Sequence, residues 1–116
     1  MTTSALPTVP LSHTAGKVRS VEVFPLRIAL STPLHIAVGP RRESVDVLVV
    51  RVTTEEGVVG LGETQAWRRQ ASAETLSGLV EAIQSHLAPR LIGRSAFDIA
   101  AISASLDDAL HGRLYA

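Results

Sequence analysis

The stretch that decides the fold is VDVLVVRVTTEEGVVGLGE, residues 45–63. Val45 to Thr54 is rich in β-branched side chains and apolar on both faces, which favours a central strand over an edge strand. The Glu-Glu-Gly that follows forms a polar turn whose glycine can adopt a positive φ. Val58 to Glu63 then returns as a second strand, in which Gly60 and Gly62 share one face. Such bare faces are typical of places where another backbone or a ligand comes close.

A further strand precedes this hairpin. Val18 to Leu30 alternates between apolar and polar residues, but its apolar set changes face at Phe24-Pro25. A proline at such a switch predicts a bulge or kink there, and an edge position in the sheet. Ser31 to Ser44 would then be a connection of unusual length, which is typical of functional or mobile loops.

Helices are expected after the hairpin and the polar loop Thr64 to Ala71. The first would be capped by Ser72 and would end at Pro89 and Gly93. Its apolar stripe comprises Leu76, Leu79, Val80, Ile83 and Leu87. The second would start at a capping box over 95–98, with a stripe of Ile99, Ile102, Leu106 and Leu110. Strands followed by helices indicate an α+β fold: a three-stranded antiparallel meander followed by two or three packed helices.

Composition sets limits on function. The formal net charge is zero, from 11 basic and 11 acidic residues, which argues against nucleic-acid and polybasic membrane surfaces. The chain has no cysteine, so disulfides and thiolate chemistry are excluded. It shows no apolar run long enough to span a membrane and no signal peptide, and a cytoplasmic location is expected. Residues 1–17, rich in Thr, Ser and Pro, are expected to form a disordered tail before a domain over 18–116.

No catalytic constellation is evident. The four histidines are scattered without metal-binding spacing, and Asp107 and Asp108 project about 100° apart on a helix. We therefore predict no catalytic residue and no metal ligand in this chain.

Two loops nevertheless carry candidate binding residues. The first combines apolar groups with two guanidinium groups suited to a carboxylate, and the second contains the sole tryptophan. The candidates are Leu34, His35, Ile36, Val38, Arg41 and Arg42 in the first loop and Trp67 and Arg68 in the second. The simpler interpretation is that the arginines are solvated and that Trp67 fills a gap in the core.

The order of these segments resembles a known family. A Val-rich strand, TTEEG, VVGLGE and a helix ending in LAPRLIG (residues 87–93) together resemble the N-terminal capping domain of the enolase superfamily. The similar branch contains mandelate racemase, muconate lactonizing enzymes and dipeptide epimerases, with Pro33 to Gly39 closest to the dipeptide epimerases. The resemblance covers Val18 to Tyr115.

The resemblance implies a role for both loops. In that family a TIM-like barrel carries the Mg²⁺ ligands and the base that removes a proton next to a substrate carboxylate, and the capping domain's two loops close over it. Those loops correspond to Ser31–Ser44 and Thr64–Ala71. A barrel needs about 250 residues, so these 116 residues are expected to lack it and to be inactive alone. A barrel partner, a small carboxylate substrate and homo-oligomers are implied.

Two other functions stay open at this point. The chain could be a self-contained dimerisation or interaction module without catalysis. It could also be a small ligand binder that uses Arg41, Arg42 and Trp67.

Overall fold

A computed structural model describes residues 16–35, 37, 41–66 and 75–110. Three antiparallel strands, β1 (Val18–Leu34), β2 (Arg42–Thr54) and β3 (Val59–Gln65), form a sheet in the order β1-β2-β3. The helical elements follow: α1 (Leu76–Glu81), a π-helical turn (Ala82–Leu87), α2 (Ala88–Leu91) and α3 (Ile99–Ala109). The predicted α+β meander backed by helices is confirmed, with β2 in the centre.

The turn between β2 and β3 has the predicted form. Gly57 has a φ of +86°, and its N–H donates to the carbonyl of Thr54 at 2.9 Å. The Thr54 hydroxyl accepts from the N–H of Val58 at 3.1 Å. A side chain with a Cβ would be strained at Gly57, which is why glycine ends this turn.

β1 is an edge strand as predicted, but the predicted bulge at Phe24-Pro25 is wrong. Phe24, Pro25 and Leu26 pair in unbroken register with Val49, Leu48 and Val47. Register shifts occur instead between Val18 and Ser20 and between Ala29 and Leu34. An edge strand tolerates proline because the missing N–H can face away from the neighbouring strand. The apparent change of face arises because both faces of β1 carry apolar residues.

The first predicted loop is shorter than expected, and the second begins later than expected. Both strands of the first hairpin continue into the segment 31–44, so that the first connection is reduced to residues 35–41. Thr64 and Gln65 likewise belong to β3, and Ala66 is a buried core residue. Pairing between β1 and β2, interrupted by the register shift between Ala29 and Leu34, extends the strands into residues that suggested a loop.

The core lies between the sheet and the first helical elements. Leu48 on β2, Ala66, and Leu79, Ile83 and Leu87 of the helices form a buried cluster, against which Val21, Val23 and Val50 pack from the same face of the sheet. The predicted stripe of the first helix is therefore confirmed. Gly60 and Gly62, which pair with Val52 and Val50, share that face as predicted, but no described atom lies within 4 Å of a Cβ built on either.

The predicted limits of the first helix need correction. α1 begins after Thr75, whose hydroxyl accepts from the N–H of Gly78 at 3.1 Å; the predicted cap, Ser72, lies outside the described residues. Pro89 does not end the helix but lies within α2. The preceding turn is widened, with the Ala88 N–H donating to the carbonyl of Ile83. Because the hydrogen bonds of this π-helical turn are shifted, Pro89, which has no N–H, is accommodated within the helix. α2 ends at Leu91, and Gly93 beyond it has a φ of +83°.

α3 also differs from the expectation at its start. Asp98 is its N-cap and makes no side-chain capping bond, while the Ser95 hydroxyl accepts from the N–H of Phe97 at 3.3 Å. The predicted capping box is therefore wrong, and α3 begins at Ile99. Arg90 joins α2 to α3 through a 3.2 Å ion pair with Asp108.

Gly16 and Lys17, which the sequence placed in the tail, pair with the folded part. Lys17 forms an antiparallel bridge with Ser95, and the Ala96 N–H donates to the Gly16 carbonyl at 2.9 Å. The Gly16 N–H donates to a carboxylate oxygen of Glu56 at 3.1 Å. The start of β1 is thus tied both to the turn after β2 and to the connection before α3. Residues 1–15 of the predicted tail lie outside the described residues.

Candidate functional site

The β1–β2 hairpin projects past the end of β3. Leu34 pairs with Arg42 near the end of the hairpin, whereas Gln65, the last residue of β3, pairs with Val47. The hairpin tip, defined here as residues 28–45, therefore has no β3 partner. At about 3.3 Å per residue, it extends roughly 16 Å beyond the sheet's third strand. Ala66, which follows β3, donates its N–H to the Asp46 carbonyl at 3.2 Å, at the base of this tip.

The structure describes four of the eight predicted site residues. Leu34 is the last residue of β1 and is 43% exposed, and Arg42, the first residue of β2, is its direct cross-strand partner. His35 and Arg41 flank them in exposed positions. Ile36, Val38, Trp67 and Arg68 lie outside the described residues, so their part in a site stays a prediction.

Apolar side chains of the hairpin tip face solvent. Ile28 and Leu34 are 46% and 43% exposed, and Leu26 just below the tip is 44% exposed. A projecting hairpin with exposed apolar groups and terminal arginines can offer both apolar contact and charge to a bound molecule.

The base of the tip holds an ion pair that sequence reasoning missed. Arg27 Nε donates to Asp46 Oδ1 at 2.7 Å and Arg27 Nη2 to Asp46 Oδ2 at 3.2 Å, in a two-pronged arrangement. The hydrogen bond and the charge of Asp46 raise the pKa of Arg27. Each residue is a lone charge within an apolar run, which was a usable signal. Pairing them required the strand register, which the sequence does not give.

A second ion pair joins the same strands on the other face of the sheet. Arg51 Nε donates to Glu22 Oε2 at 2.7 Å, and the Arg51 guanidinium carbon lies 5.1 Å from the Phe24 ring centroid. This pair lies five register positions farther from the tip than Arg27–Asp46, since Glu22 pairs with Arg51 and Arg27 with Asp46.

The described residues do not fit a magnesium site. Within them, no three His, Asp or Glu side chains come together in a way that could hold a metal ion. The same ranges contain no helix of the length and apolarity needed to cross a membrane. What the described part of the chain offers is a projecting two-stranded edge with exposed apolar side chains, at whose base Ala66 lies.

Comparison with known proteins identifies the family to which this fold is similar. A statistical model described as "Mandelate racemase / muconate lactonizing enzyme, N-terminal domain" matches residues 18–116. N-succinyl-L-Arg/Lys racemase from Bacillus cereus is 25% identical over 96 residues, covering 83% of this chain and 26% of the racemase.

Two solved structures share the fold. The L-Ala-D/L-Glu epimerase from Bacillus subtilis aligns with a TM-score of 0.74 and 25% identity, over 83% of this chain and 26% of that chain. The dipeptide epimerase from Enterococcus faecalis, solved with Mg and the dipeptide L-Leu-L-Tyr, aligns with a TM-score of 0.72 and 34% identity, over 81% and 26% of the two chains.

This chain therefore spans about a quarter of the length of the relatives it matches. Within that quarter the fold agrees with theirs, with TM-scores of 0.74 and 0.72. The chain belongs to the mandelate racemase / muconate lactonizing enzyme family, as its N-terminal domain.

Proposed function

We propose that this chain is the substrate-specificity and capping part of a Mg²⁺-dependent racemase, epimerase or cycloisomerase that removes a proton α to a carboxylate. In this proposal a C-terminal barrel carries the metal and the base. The chain itself excludes water and contacts the part of the substrate remote from the reacting carbon.

The observation that supports the proposal is that the end of β3 and the projecting β1–β2 hairpin lie at the same end of the sheet. The hairpin tip projects there, and the Ala66 N–H donates to the Asp46 carbonyl at 3.2 Å, so the segment after β3 starts against the base of the tip. In this proposal the two segments that start from this end of the sheet close over a shared opening. Leu34, His35, Arg41 and Arg42 are the described residues proposed to face a substrate there.

The relatives suggest the class of substrate. Their names specify N-succinyl amino acids, the L-Ala-D/L-Glu dipeptide and, in the E. faecalis structure, L-Leu-L-Tyr. All three are acylated or peptide-linked amino acids with a free carboxylate. Arginine at the tip suits such a carboxylate, or an acidic side chain, through paired N–H donors.

Magnesium belongs to the proposed partner barrel. The E. faecalis relative is described with Mg, and the described residues of this chain offer no ligand set for it. Cytoplasmic location and homo-oligomerisation are part of the same proposal. The self-contained interaction module is less well supported, because the match to the enzyme family extends over residues 18–116.

A domain exchange tests the proposal. Residues 18–116 would replace the matching N-terminal quarter of the E. faecalis dipeptide epimerase, and α-proton exchange would be followed by ¹H NMR in D₂O with Mg²⁺ and a panel of dipeptides and N-succinyl amino acids. We expect activity that EDTA abolishes and a ranking of substrates different from the parent's. A matched chimera carrying the B. subtilis epimerase domain controls for the junction.

Two results would contradict the proposal. One is a folded, active chimera whose substrate ranking equals that of the parent enzyme. The other is a folded chimera in which Leu34→Ala and Arg42→Gln leave every substrate's kcat/KM unchanged.

A further inference from the structure

We propose that the outer edge of β3 pairs with the same edge of a second copy of this chain, so that two three-stranded sheets join into one sheet of six strands. The inference deepens the proposed function and rests on it in one respect, because homo-oligomerisation is part of that proposal and the edge of β3 is the surface that would carry it. The hairpin tip takes no part in this contact.

Two hydrogen bonds fix which backbone groups of β3 point away from the sheet. The N–H of Thr54 donates to the carbonyl of Val58 at 2.9 Å, and the N–H of Ala66 donates to the carbonyl of Asp46 at 3.2 Å. Because hydrogen-bonded pairs alternate along an antiparallel ladder, the backbone groups of the even-numbered residues of β3 face β2. The N–H and C=O groups that point outward belong to the odd-numbered residues Val59, Leu61, Glu63 and Gln65.

The outer edge of β3 lacks the features that usually keep sheet edges apart. Within the described residues, β3 pairs with β2 alone. It contains no proline and no lysine, and Glu63 is its single charged residue. β1, at the opposite edge of the sheet, contains Pro25 and Pro33, which have no N–H to donate to a further strand. Of the two edges, β3 is therefore the one that can accept another strand.

The side chains beside this edge favour close contact. Leu61 and Val59, on the face of the sheet opposite the helices, are 73% and 52% exposed. On the helix side, Gly60 and Gly62 carry no side chain, and no described atom lies within 4 Å of a Cβ built on either. A second backbone can therefore come close to β3, and its arrival removes two large apolar side chains from water.

The outward backbone groups of β3 are complementary to themselves. In an antiparallel pair centred on Gly62, Leu61 of one copy lies opposite Glu63 of the other. Val59 likewise lies opposite Gln65. Every outward residue of both copies then exchanges backbone hydrogen bonds, in an arrangement with twofold symmetry.

The charges beside the edge favour a second copy over an unrelated strand. Arg51 is the β2 partner of Leu61, so it lies in the same row of the joined sheet as Glu63 of the second copy. Neighbouring strands are about 4.8 Å apart, which places these two residues about 10 Å apart at their Cα atoms, within reach of two long side chains. The symmetry repeats this attraction between opposite charges, whereas an unrelated extended segment would satisfy only the backbone groups.

The contact between the two copies is small. About eight backbone hydrogen bonds and two apolar side chains from each copy bury less than the roughly 800 Å² per partner of a standard stable interface. We therefore expect a weak and reversible dimer, which forms as the concentration of the chain is raised.

Sedimentation velocity on the 116-residue chain tests the inference. Between about 5 µM and about 500 µM, we expect the weight-average mass to rise from that of the monomer towards that of the dimer. Glu63→Pro removes an outward N–H without removing a bond to β2, and should abolish this rise. Glu63→Gln is the matched control: it keeps the N–H, and its dimer dissociation constant should stay within about fivefold of the parent's.

A single introduced cysteine tests the register, because the chain has none of its own. In the pair centred on Gly62, the two copies of this residue lie opposite each other, about 4.5 Å apart at their Cα atoms, which suits a disulfide. Gly62→Cys should therefore form a covalent dimer under mild oxidation. Gly60→Cys, on the same face, is the matched control: its Cα lies about 14 Å from its counterpart, and cross-linking should be at least about tenfold slower.

Three results would overturn the inference: a monomer at every concentration, parent-like dimerisation of Glu63→Pro, or equal cross-linking of the two cysteine variants. The second would place the contact on another surface, such as the apolar face of the sheet. Circular dichroism would identify an unfolded variant. Leu61→Lys, which adds a charge at the edge but keeps every backbone group, would then replace Glu63→Pro and should weaken dimerisation at least about tenfold. The capping role is tested separately, by the substrate ranking of the chimera, and does not fail with this inference.

Discussion

Gly16 carries two constraints at the start of the folded chain. Its φ is +74°, and a Cβ built there would lie 2.9 Å from Cε2 of the Phe97 ring. Its N–H and carbonyl also join Glu56 and Ala96. The position therefore needs glycine both for its backbone angle and for the space beside the ring.

We predict that Gly16→Ala lowers the free energy of unfolding by about 1–3 kcal/mol, because the left-handed conformation and the ring contact are both unfavourable with a methyl group. Urea denaturation followed by circular dichroism measures it. Gly60→Ala is the matched control: no described atom lies within 4 Å of its Cβ position, and the change should stay within about 0.5 kcal/mol. Equal stabilities for the two variants would contradict the account of Gly16.

Glu56 gives the fold a pH dependence with a definite sign. The backbone N–H groups of Glu56 and Gly16 hold its carboxylate and lower its pKa below the ordinary value of 4.5. The charged form is favoured by folding, so its contribution is complete above the unfolded pKa and is lost as pH falls through the lower, folded pKa.

We predict that Glu56→Gln flattens the loss of stability between neutral pH and the acid range below pH 4.5. Urea midpoints measured across that range provide the test, and Glu55→Gln, the same charge change at the neighbouring exposed position, should keep the parent profile. A parent-like pH profile in Glu56→Gln would show that the bond from Gly16 does not stabilise the fold.

At the scale of elements, the first helix carries a buried stripe, whereas α3 packs on the core only through partly buried residues such as Leu106, and the predicted place of Ile99 in its stripe is wrong. Leu79 is fully buried at 0% exposure, and Ile99 on α3 is 71% exposed. Leu79→Ala should therefore cost about 2–5 kcal/mol of unfolding free energy, through lost burial and a cavity. Ile99→Ala should cost less than about 0.5 kcal/mol in the isolated chain. Thermal and urea unfolding of both variants would measure these changes. Similar losses of unfolding free energy in the two variants would contradict the location of the core beneath the first helix.

Local patterns were sufficient to predict the elements but not their contacts. The β-branched run of β2 and the spacing of Leu79, Ile83 and Leu87 predicted a central strand and a buried helix face, because both depend on side-chain periodicity alone. The predicted strand ends were wrong because pairing between β1 and β2 extends both strands into the segment 31–44, whose polar residues and prolines suggested a loop. The Arg27–Asp46 ion pair was not predicted for a related reason: it depends on the register between β1 and β2, which the sequence does not show.

The predicted helix ends were wrong at positions where the sequence offers two competing signals. Ser72 and Thr75 are both good capping residues three positions apart, and only packing decides between them. A proline normally ends a helix, but the π-helical turn just before Pro89 lets the helix continue through it. Neither choice could be read from the residues by themselves.

At the scale of the whole molecule, the two ends of the sheet differ in how they are connected to the rest of the fold. One end is tied down by Gly16, Lys17 and the turn at Gly57, which join β1 to the connection before α3. The other carries the hairpin tip and Ala66, where the two loops predicted to meet substrate begin. A domain fixed at one end and open at the other suits a cap that closes over a separate reactive centre.

The most direct test of that central claim is α-proton exchange by the purified 116-residue chain alone. It would be incubated with Mg²⁺ in D₂O with dipeptides, N-succinyl amino acids and muconate, alongside the active chimera as a positive control. We predict no exchange above the protein-free rate by the isolated chain and clear exchange by the chimera. Exchange by the isolated chain that EDTA abolishes would contradict the account, because the proposal assigns both the metal and the base to a separate barrel.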